Sequence, residues 1–475
     1  MRLRDLAGIE SDSEVTGFAI DHRKVARGSV FGAFRGQALN GEDFIGQAVE
    51  RGAVAVVARP LAEVAEVPHL ADREPRALFA RLAAKFFAPY PATVIAVTGT
   101  NGKTSTVEMT RQMWRMAGHR SASIGTLGVT TSDDQVKTGL TTPDIVTFLS
   151  NMAGLKRMGI SHVAYEASSH GLDQHRAEGV PLAAAAFTNF SRDHLDYHAS
   201  MDEYFKVKMR LFGELLEPGA PAVIWTDDPK SDEVIARARS RGHRVLTVGR
   251  KGETIRLTEQ SPSALGQTLG LEHEDKSYRL ALPLIGAYQA ANVLTAAGLV
   301  LATGGEWDET FSAMQRVAPV RGRLERAVIS RAGVPVYIDY AHTADALDAA
   351  IAALRPHVEG RLIVLFGAGG DRDAGKRPDM GAVAARLADV VIVTDDNPRG
   401  EDPAAIRAAI LSSAPDATEI AGRREAISEA IRIARAGDII LLAGKGHETG
   451  QIIGAGPEQR IIPFDDALVA RECAA

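Results

Sequence analysis

VIAVTGTNGKTS, Val94–Ser105, reads as a buried strand, a glycine turn and the opening of a helix. The β-branched apolar run predicts a strand over Thr93–Thr98, and the pattern beyond Lys103 predicts a helix running towards Gly118. Backbone N–H groups at Gly99, Thr100, Asn101 and Gly102, with the helix N-terminus behind them, make a cradle for phosphate. Lys103 then reaches the terminal phosphates of a nucleotide, the Thr104 hydroxyl stands where Mg²⁺ is held, and Ser105 belongs to the same loop. The spacing departs from G-x-x-x-x-G-K-[ST], because Val97 stands where the first glycine is expected. A helix can begin with Gly-Lys-Thr for structural reasons alone, but the strand–turn–helix setting favours nucleotide binding.

Working outward, short β-branched runs alternate with amphipathic helical stretches, the pattern of parallel α/β layers. We expect three domains: 1–88, which binds substrate; 89–318, a P-loop ATPase-like parallel sheet; and 319–475, a Rossmann-like doubly wound sheet. In the first, Ser29–Phe34 and Ala53–Ala58 read as strands with a helix over Phe44–Gly52 between them. In the second, strands are expected at His162–Glu166, Ala183–Phe187, Ala222–Trp225 and His243–Val248, a hairpin region near 250–280, and a buried helix over Ala287–Ala302. In the third, Val334–Tyr340, Leu362–Phe366, Val390–Thr394 and Ile439–Leu442 read as strands, with helices beginning near Asp345, Arg377, Pro403 and Arg424.

A chain of 475 residues with 45% apolar and 24% charged residues builds real cores and more than one domain. A net charge of −6 leaves no basic excess for nucleic acid. The single cysteine, Cys473, excludes a disulfide framework and a thiolate metal site. The opening MRLRDLAGIESD lacks the apolar core of a signal peptide, and no run approaches the roughly 18 apolar residues of a membrane span. A soluble cytoplasmic protein is the expectation.

Two segments carry polar groups that a scaffold does not require. VAYEASSHGLDQHR places Glu166 at a strand's carboxyl end, and FTNFSRDHLDYH places His194 just after another. A carboxylate and an imidazole at adjacent strand ends can converge on a hard cation beside the phosphate loop. In the following MDEYFKVKMRLFGELL, Met201, Tyr204, Phe205, Leu211, Phe212 and Leu215 form an apolar stripe, and Lys208 falls on it. Lys206 instead neighbours Asp202, Glu203 and Arg210 on the solvated face. An inward lysine either snorkels past the stripe or stays neutral within it, and a neutral amine can react with CO₂.

These motifs resemble the Mur ligases, ATP-dependent amide synthases of peptidoglycan synthesis, over nearly the whole chain and most strongly from Val94 onward. The T-G-T-N-G-K-T form of the loop is similar to that of Mur ligases and folylpolyglutamate synthetases. The resemblance implies that Thr104, Glu166, His194 and a carbamate on Lys208 hold Mg²⁺, with Lys103, His194 and Lys208 catalytic. It implies ATP contacts from Asn292 and Arg323. It further implies that Thr141, Thr142, Pro143, Ser169, Gln174 and Arg176 bind UDP-N-acetylmuramoyl-L-alanyl-D-glutamate, with Ile20, His22, Gly36, Gln37 and Ala38 contacting the uridine. The family often has D-S-R where this chain has Asp21, His22 and Arg23.

Choice of amino acid falls to the third domain. FGAGGDRDAGKRP, TDDNPR and LAGKGHE end three expected strands and bring Arg372, Asp396, Asn397, Pro398, Arg399, Gly444 and Glu448 to one edge. Paired cations and carboxylates suit a zwitterionic amino acid, although Asn397-Pro398 is also ordinary turn chemistry. In diaminopimelate-adding members of the family D-N-P-R recognises the distal carboxylate-bearing centre, so the resemblance implies meso-diaminopimelate as the second substrate, with Arg399 deciding it. Siblings adding L-lysine, or glutamate to folate, are the nearest rivals. A nucleotide-binding regulatory module is the rival from another class.

Overall fold

The computed structural model describes residues 1–36, 39–263 and 266–475. Thr93–Thr98 lies inside an eleven-stranded sheet whose centre is parallel. Ala184–Phe187 flanks it on one side and His162–Glu166 on the other, with Phe187 level with Thr98 and Glu166 level with Val97. Chain segments leaving these strands therefore emerge on one edge, where ligands collect in open parallel sheets. The expected hairpin region is three antiparallel strands, Ile255–Ser263, Gly266–His273 and Lys276–Leu282, which extend this sheet. Helices Lys103–Met116 and Ala287–Ala302 pack side by side in the core built on Ile95, Val97, Val223 and Val293. Gly298 lets the second of these helices approach the sheet, since a Cβ there would stand 2.7 Å from Val223 Cγ1 of strand Pro221–Trp225.

The first unit is a four-stranded parallel sheet containing Ser29–Gly32 and Ala53–Ala58, with Ile45–Glu50 as the helix between them. Sequence reading missed the helix Pro75–Phe87, which carries Phe79 and Leu82 into one core with Phe148 and Tyr165 of the central unit. Each such side chain contributes roughly 1.5–3 kcal/mol on burial, so this helix ties the first unit to the second.

The third unit is a six-stranded sheet, parallel except for its edge strand Arg323–Ile329. Leu362, Val364 and Phe366 face one core and Ile363 and Leu365 the other, as a sheet covered on both faces requires. Strands Pro335–Asp339, Leu362–Phe366, Val390–Val393 and Ile439–Ala443 point their carboxyl ends the same way. A fully buried bidentate pair, Arg423 with Asp466, fastens helix Asp466–Ala474 beneath this sheet at N–O distances of 2.8 and 2.6 Å. No described helix is long and apolar enough to cross a membrane.

Candidate active site

The loop after Thr93–Thr98 turns on two glycines. Gly99 has φ 147° and Gly102 φ 83°; a Cβ would stand 2.0 Å from Thr188 Oγ1 at the first and 2.3 Å from Asn292 Oδ1 at the second. Asn292 is thus seated on the loop from the helix Ala287–Ala302, held by its own bond to Gln289 Oε1 at 3.1 Å. Lys103 curls over the turn and donates to Gly99 O at 3.0 Å and Thr100 O at 2.7 Å. Burial lowers the pKa of its ammonium, and the nearby Arg323 adds to the effect.

Glu166 is buried beside this loop. Its Oε2 accepts from Thr104 Oγ1 at 3.0 Å, and its Oε1 accepts from Thr126 N at 2.7 Å. Arg323 reaches the same Thr104 hydroxyl from the third unit at 3.2 Å. His194 sits in a left-handed backbone conformation at φ 54°, with Nε2 3.4 Å from Asp193 Oδ2. Burial pushes its imidazole down to about 4 even against the pull of Asp193.

Helix Met201–Arg210 turns Lys208 inward, as its spacing predicts, and leaves Lys206 exposed. Ser200 caps it by accepting from Glu203 N at 3.1 Å, while Glu203 Oε2 accepts from Ala199 N at 2.9 Å, which fixes the helical phase. Lys208 is 1% exposed, donates to Gly99 O at 2.7 Å and lies 4.4 Å from the Tyr204 ring centroid. It has no carboxylate partner among the described residues. Burial first, and Lys103 second, push its amine well below the lysine range.

Thr104, Glu166, His194 and Lys208 all line one cavity of about 570 Å³. No group of three or more His, Cys, Asp or Glu gathers among the described residues, so a divalent cation there needs oxygens beyond those side chains.

The far wall of this cavity was not read from the sequence. Asp339, at the end of strand Pro335–Asp339, accepts from Tyr288 Oη at 3.1 Å and from Leu324 N at 2.8 Å, locking the junction between the second and third units. Arg323 lies 4.5 Å from the Tyr340 ring centroid, and His342 Nδ1 donates to Tyr340 O at 2.8 Å. The signal was the carboxyl end of a recognised strand.

Beyond Tyr340, whose ring is 5.1 Å from that of His447, the third unit gathers its expected residues. Asn397 Nδ2 donates to Glu448 Oε2 at 2.7 Å, and a Cβ on Gly444 would stand 2.5 Å from Asp396 Oδ2. Pro398 is buried between them and Arg399, which has φ 50°. Arg399 donates through Nη1 to Gly370 O at 2.9 Å and makes no ion pair among the described residues. Arg372 is exposed beside it, and a Cβ on Gly369 would meet both side chains, at 2.7 Å from Arg399 Nη1 and 3.8 Å from Arg372 Cγ. Wholly buried Lys445 was missed; a lysine between glycines looks exposed in sequence.

The remaining residues form a band that borders this cavity, Thr141 and Ser169 lining it. Thr141 Oγ1 is 3.1 Å from Thr126 Oγ1, Thr142 Oγ1 donates to Glu166 O at 2.7 Å, and Pro143 is buried next to them. Arg176 donates to Thr142 O at 3.2 Å and to Gln174 Oε1 at 2.7 Å, while the buried Ser169 Oγ has no hydrogen-bond partner among the described residues. In the first unit Ile20 is 36% exposed and His22 stacks on Phe44 at 4.4 Å, so the imidazole is a flat aromatic surface there. Gly36 N donates to Leu39 O at 2.8 Å; Gln37 and Ala38 lie outside the described residues. Arg76, also missed, donates to Arg35 O at 3.1 Å at the base of that loop and lies 4.8 Å from the Phe34 ring centroid.

The Mur ligase middle domain matches residues 97–300, and the Mur ligase glutamate ligase domain matches 322–446. UDP-N-acetylmuramoyl-L-alanyl-D-glutamate–2,6-diaminopimelate ligase of Zymomonas mobilis is 58% identical, over 98% of this chain and 95% of that protein. The ligase of the same name from Bradyrhizobium diazoefficiens is 49% identical over 98% and 97%. A solved structure bearing that name superposes with a TM-score of 0.72 at 32% identity, covering 100% of this chain and 98% of the other. At 21% identity, Mycobacterium tuberculosis folylpolyglutamate synthase complexed with ADP shares the fold, with a TM-score of 0.64 over 76% of this chain and 89% of its own. With its second and third units both matched and relatives aligned along nearly its full length, this chain belongs to the Mur ligase family.

Proposed function

We propose that the protein joins meso-diaminopimelate to UDP-N-acetylmuramoyl-L-alanyl-D-glutamate at the expense of ATP, in the cytoplasm, as a step of peptidoglycan synthesis. The observation that carries the reading is a single cavity with the phosphate loop on one wall and Tyr340 on the other, Tyr340 leading on to Glu448 and Arg399. A nucleotide-binding regulatory module has no use for that charged cluster beyond the cavity. The division of labour follows the chain: 1–88 takes the uridine, 89–318 the ATP and the dipeptide, and 319–475 the incoming amino acid.

The loop N–H groups and Lys103 hold the terminal phosphates, and Asn292 keeps the loop in place from behind. Thr141, Ser169 and Arg176 offer hydroxyls and a cation to the dipeptide and its terminal carboxylate. That carboxylate attacks the γ-phosphorus, an acyl-phosphate forms and ADP leaves; the amine of diaminopimelate then attacks the acyl carbon and phosphate leaves. Arg323, already bonded to Thr104, adds positive charge where the phosphoryl group transfers. Thr104, Glu166, His194 and a carbamate on Lys208 fit as the holders of Mg²⁺, which when bound supplies further charge to the phosphates.

At the amino-acid end Arg399 keeps Nε and Nη2 free of hydrogen bonds among the described residues, and these are what a distal carboxylate requires. L-Lysine offers no such group. ATP-dependent phosphate release from the muramoyl-dipeptide, measured with each amino acid in turn, tests the reading; equal rates with lysine would overturn the specificity and no release would overturn the ligase.

A further inference from the structure

Lys445 has no part in the chemistry just described, yet it is 0% exposed in a loop that faces the amino-acid pocket. Its ammonium donates to Asn397 Oδ1 at 3.1 Å, Glu448 Oε2 at 2.9 Å and Gly450 O at 2.7 Å, so each of its three protons has an acceptor. The acceptors come from two segments: Asn397 from another strand end, Glu448 and Gly450 from the loop that carries Lys445 itself. Asn397 follows strand Val390–Val393, Glu448 follows strand Ile439–Ala443, and Gly450 opens a two-stranded ribbon, Gly450–Ile453 paired with Arg460–Pro463.

The consequences for the pocket are specific. With Oδ1 of Asn397 engaged by Lys445 and by Ile452 N at 2.9 Å, its amide can only turn Nδ2 towards Glu448. Glu448 Oε2 then carries two donors, Lys445 and Asn397, which leaves Oε1 without a hydrogen bond among the described residues. The ribbon in turn sets Arg399: Arg399 N donates to Ile452 O at 3.1 Å and Gly454 N donates to Arg399 O at 2.8 Å, holding its left-handed backbone. One buried charge therefore fixes both the carboxylate and, through the ribbon, the arginine.

We infer that Lys445 is the positioning residue of the amino-acid pocket, preorganising Glu448 Oε1 for an ammonium and Arg399 for a carboxylate. The inference rests on the reading of this pocket as the diaminopimelate site. Preorganised groups of this kind lower the cost of binding without touching the reacting atoms, so the effect belongs in one Michaelis constant.

The test is steady-state kinetics of Lys445→Met and Lys445→Gln with all three substrates varied. The KM for diaminopimelate should rise at least tenfold, with the KM values for ATP and the muramoyl-dipeptide within twofold and kcat at saturating diaminopimelate within threefold. The preference for diaminopimelate over lysine should shrink in step. An unchanged diaminopimelate KM in either folded variant overturns the proposal. So does a uniform loss across all three substrates, or loss of ATP binding by both variants, since either makes Lys445 a residue of the fold alone. If the wild type itself does not use diaminopimelate, the reading of the pocket fails instead, and the two failures are told apart.

Discussion

Replacing Lys208 separates the stability of the central unit from its chemistry. The amine makes one hydrogen bond, to Gly99 O at 2.7 Å, and rests over Tyr204. In Lys208→Met the loss of that bond costs about 1 kcal/mol, and the packing change less than about 1.5 kcal/mol because the volumes are similar. The burial penalty on the amine, seen in its depressed pKa, disappears at the same time. The net loss is at most about 2 kcal/mol, a shift of a few degrees in Tm. Activity should fall much further, because a fixed charge beside a transferring phosphoryl group is worth on the order of 10²–10³ in rate. Phosphate release by Lys208→Met should therefore drop at least about a hundredfold while Tm falls by no more than those few degrees. Lys208→Ala should be partly restored by a short carboxylic acid, whose oxygens replace those of a carbamate in the vacated space. Lys206→Ala, altered on the exposed face of the same helix, should match wild type. Full activity in Lys208→Met, or equal damage from both alanine variants, would refute the reasoning.

Arg399→Ala should cost about one to two decades in kcat/KM for diaminopimelate, since a charge-assisted bond is worth roughly 1.5–3 kcal/mol, and should change the weak lysine rate little; unchanged discrimination would point to Arg372 instead. Burial holds His162, His170 and His194 at about 4 and His447 at about 3, below the usual histidine value of 6.5. In each case the unfolded chain binds the proton first, so stability is whole above about pH 6.5 and is lost as pH falls towards 4. A melting temperature that is flat across that window would contradict this. Asp466→Ala should destabilise the third unit by about 3–5 kcal/mol in denaturant titration by stranding Arg423, whereas Arg423→Met with Asp466→Leu should come close to wild type.

Local chemistry was legible in the sequence and inter-unit chemistry was not. The phosphate loop could be read because strand, turn and helix are consecutive, and Lys208 because helical spacing alone decides which face it takes. The chemistry-bearing ends of strands His162–Glu166, Val390–Val393 and Ile439–Ala443 were likewise visible as polar residues after apolar runs. Asp339, Tyr340 and His342 escaped because their importance depends on Arg323 bringing the third unit against Thr104. Lys445 escaped for a different reason: nothing in a Gly-Lys-Gly run says that its own loop and the distant Asn397 will close over it. Helix Pro75–Phe87 escaped although its Pro at the first turn is a helix-start signal.

The central claim is that one cavity couples ATP hydrolysis to condensation of two specific substrates. It is tested most directly by phosphate release from ATP with the purified full chain and UDP-N-acetylmuramoyl-L-alanyl-D-glutamate, with and without meso-diaminopimelate or L-lysine. The account predicts release that depends on both nucleotide substrate and diaminopimelate, equimolar with a new amide product, and at least about tenfold slower with lysine. Release that proceeds at the same rate without any amino acid, or that favours lysine, would contradict it.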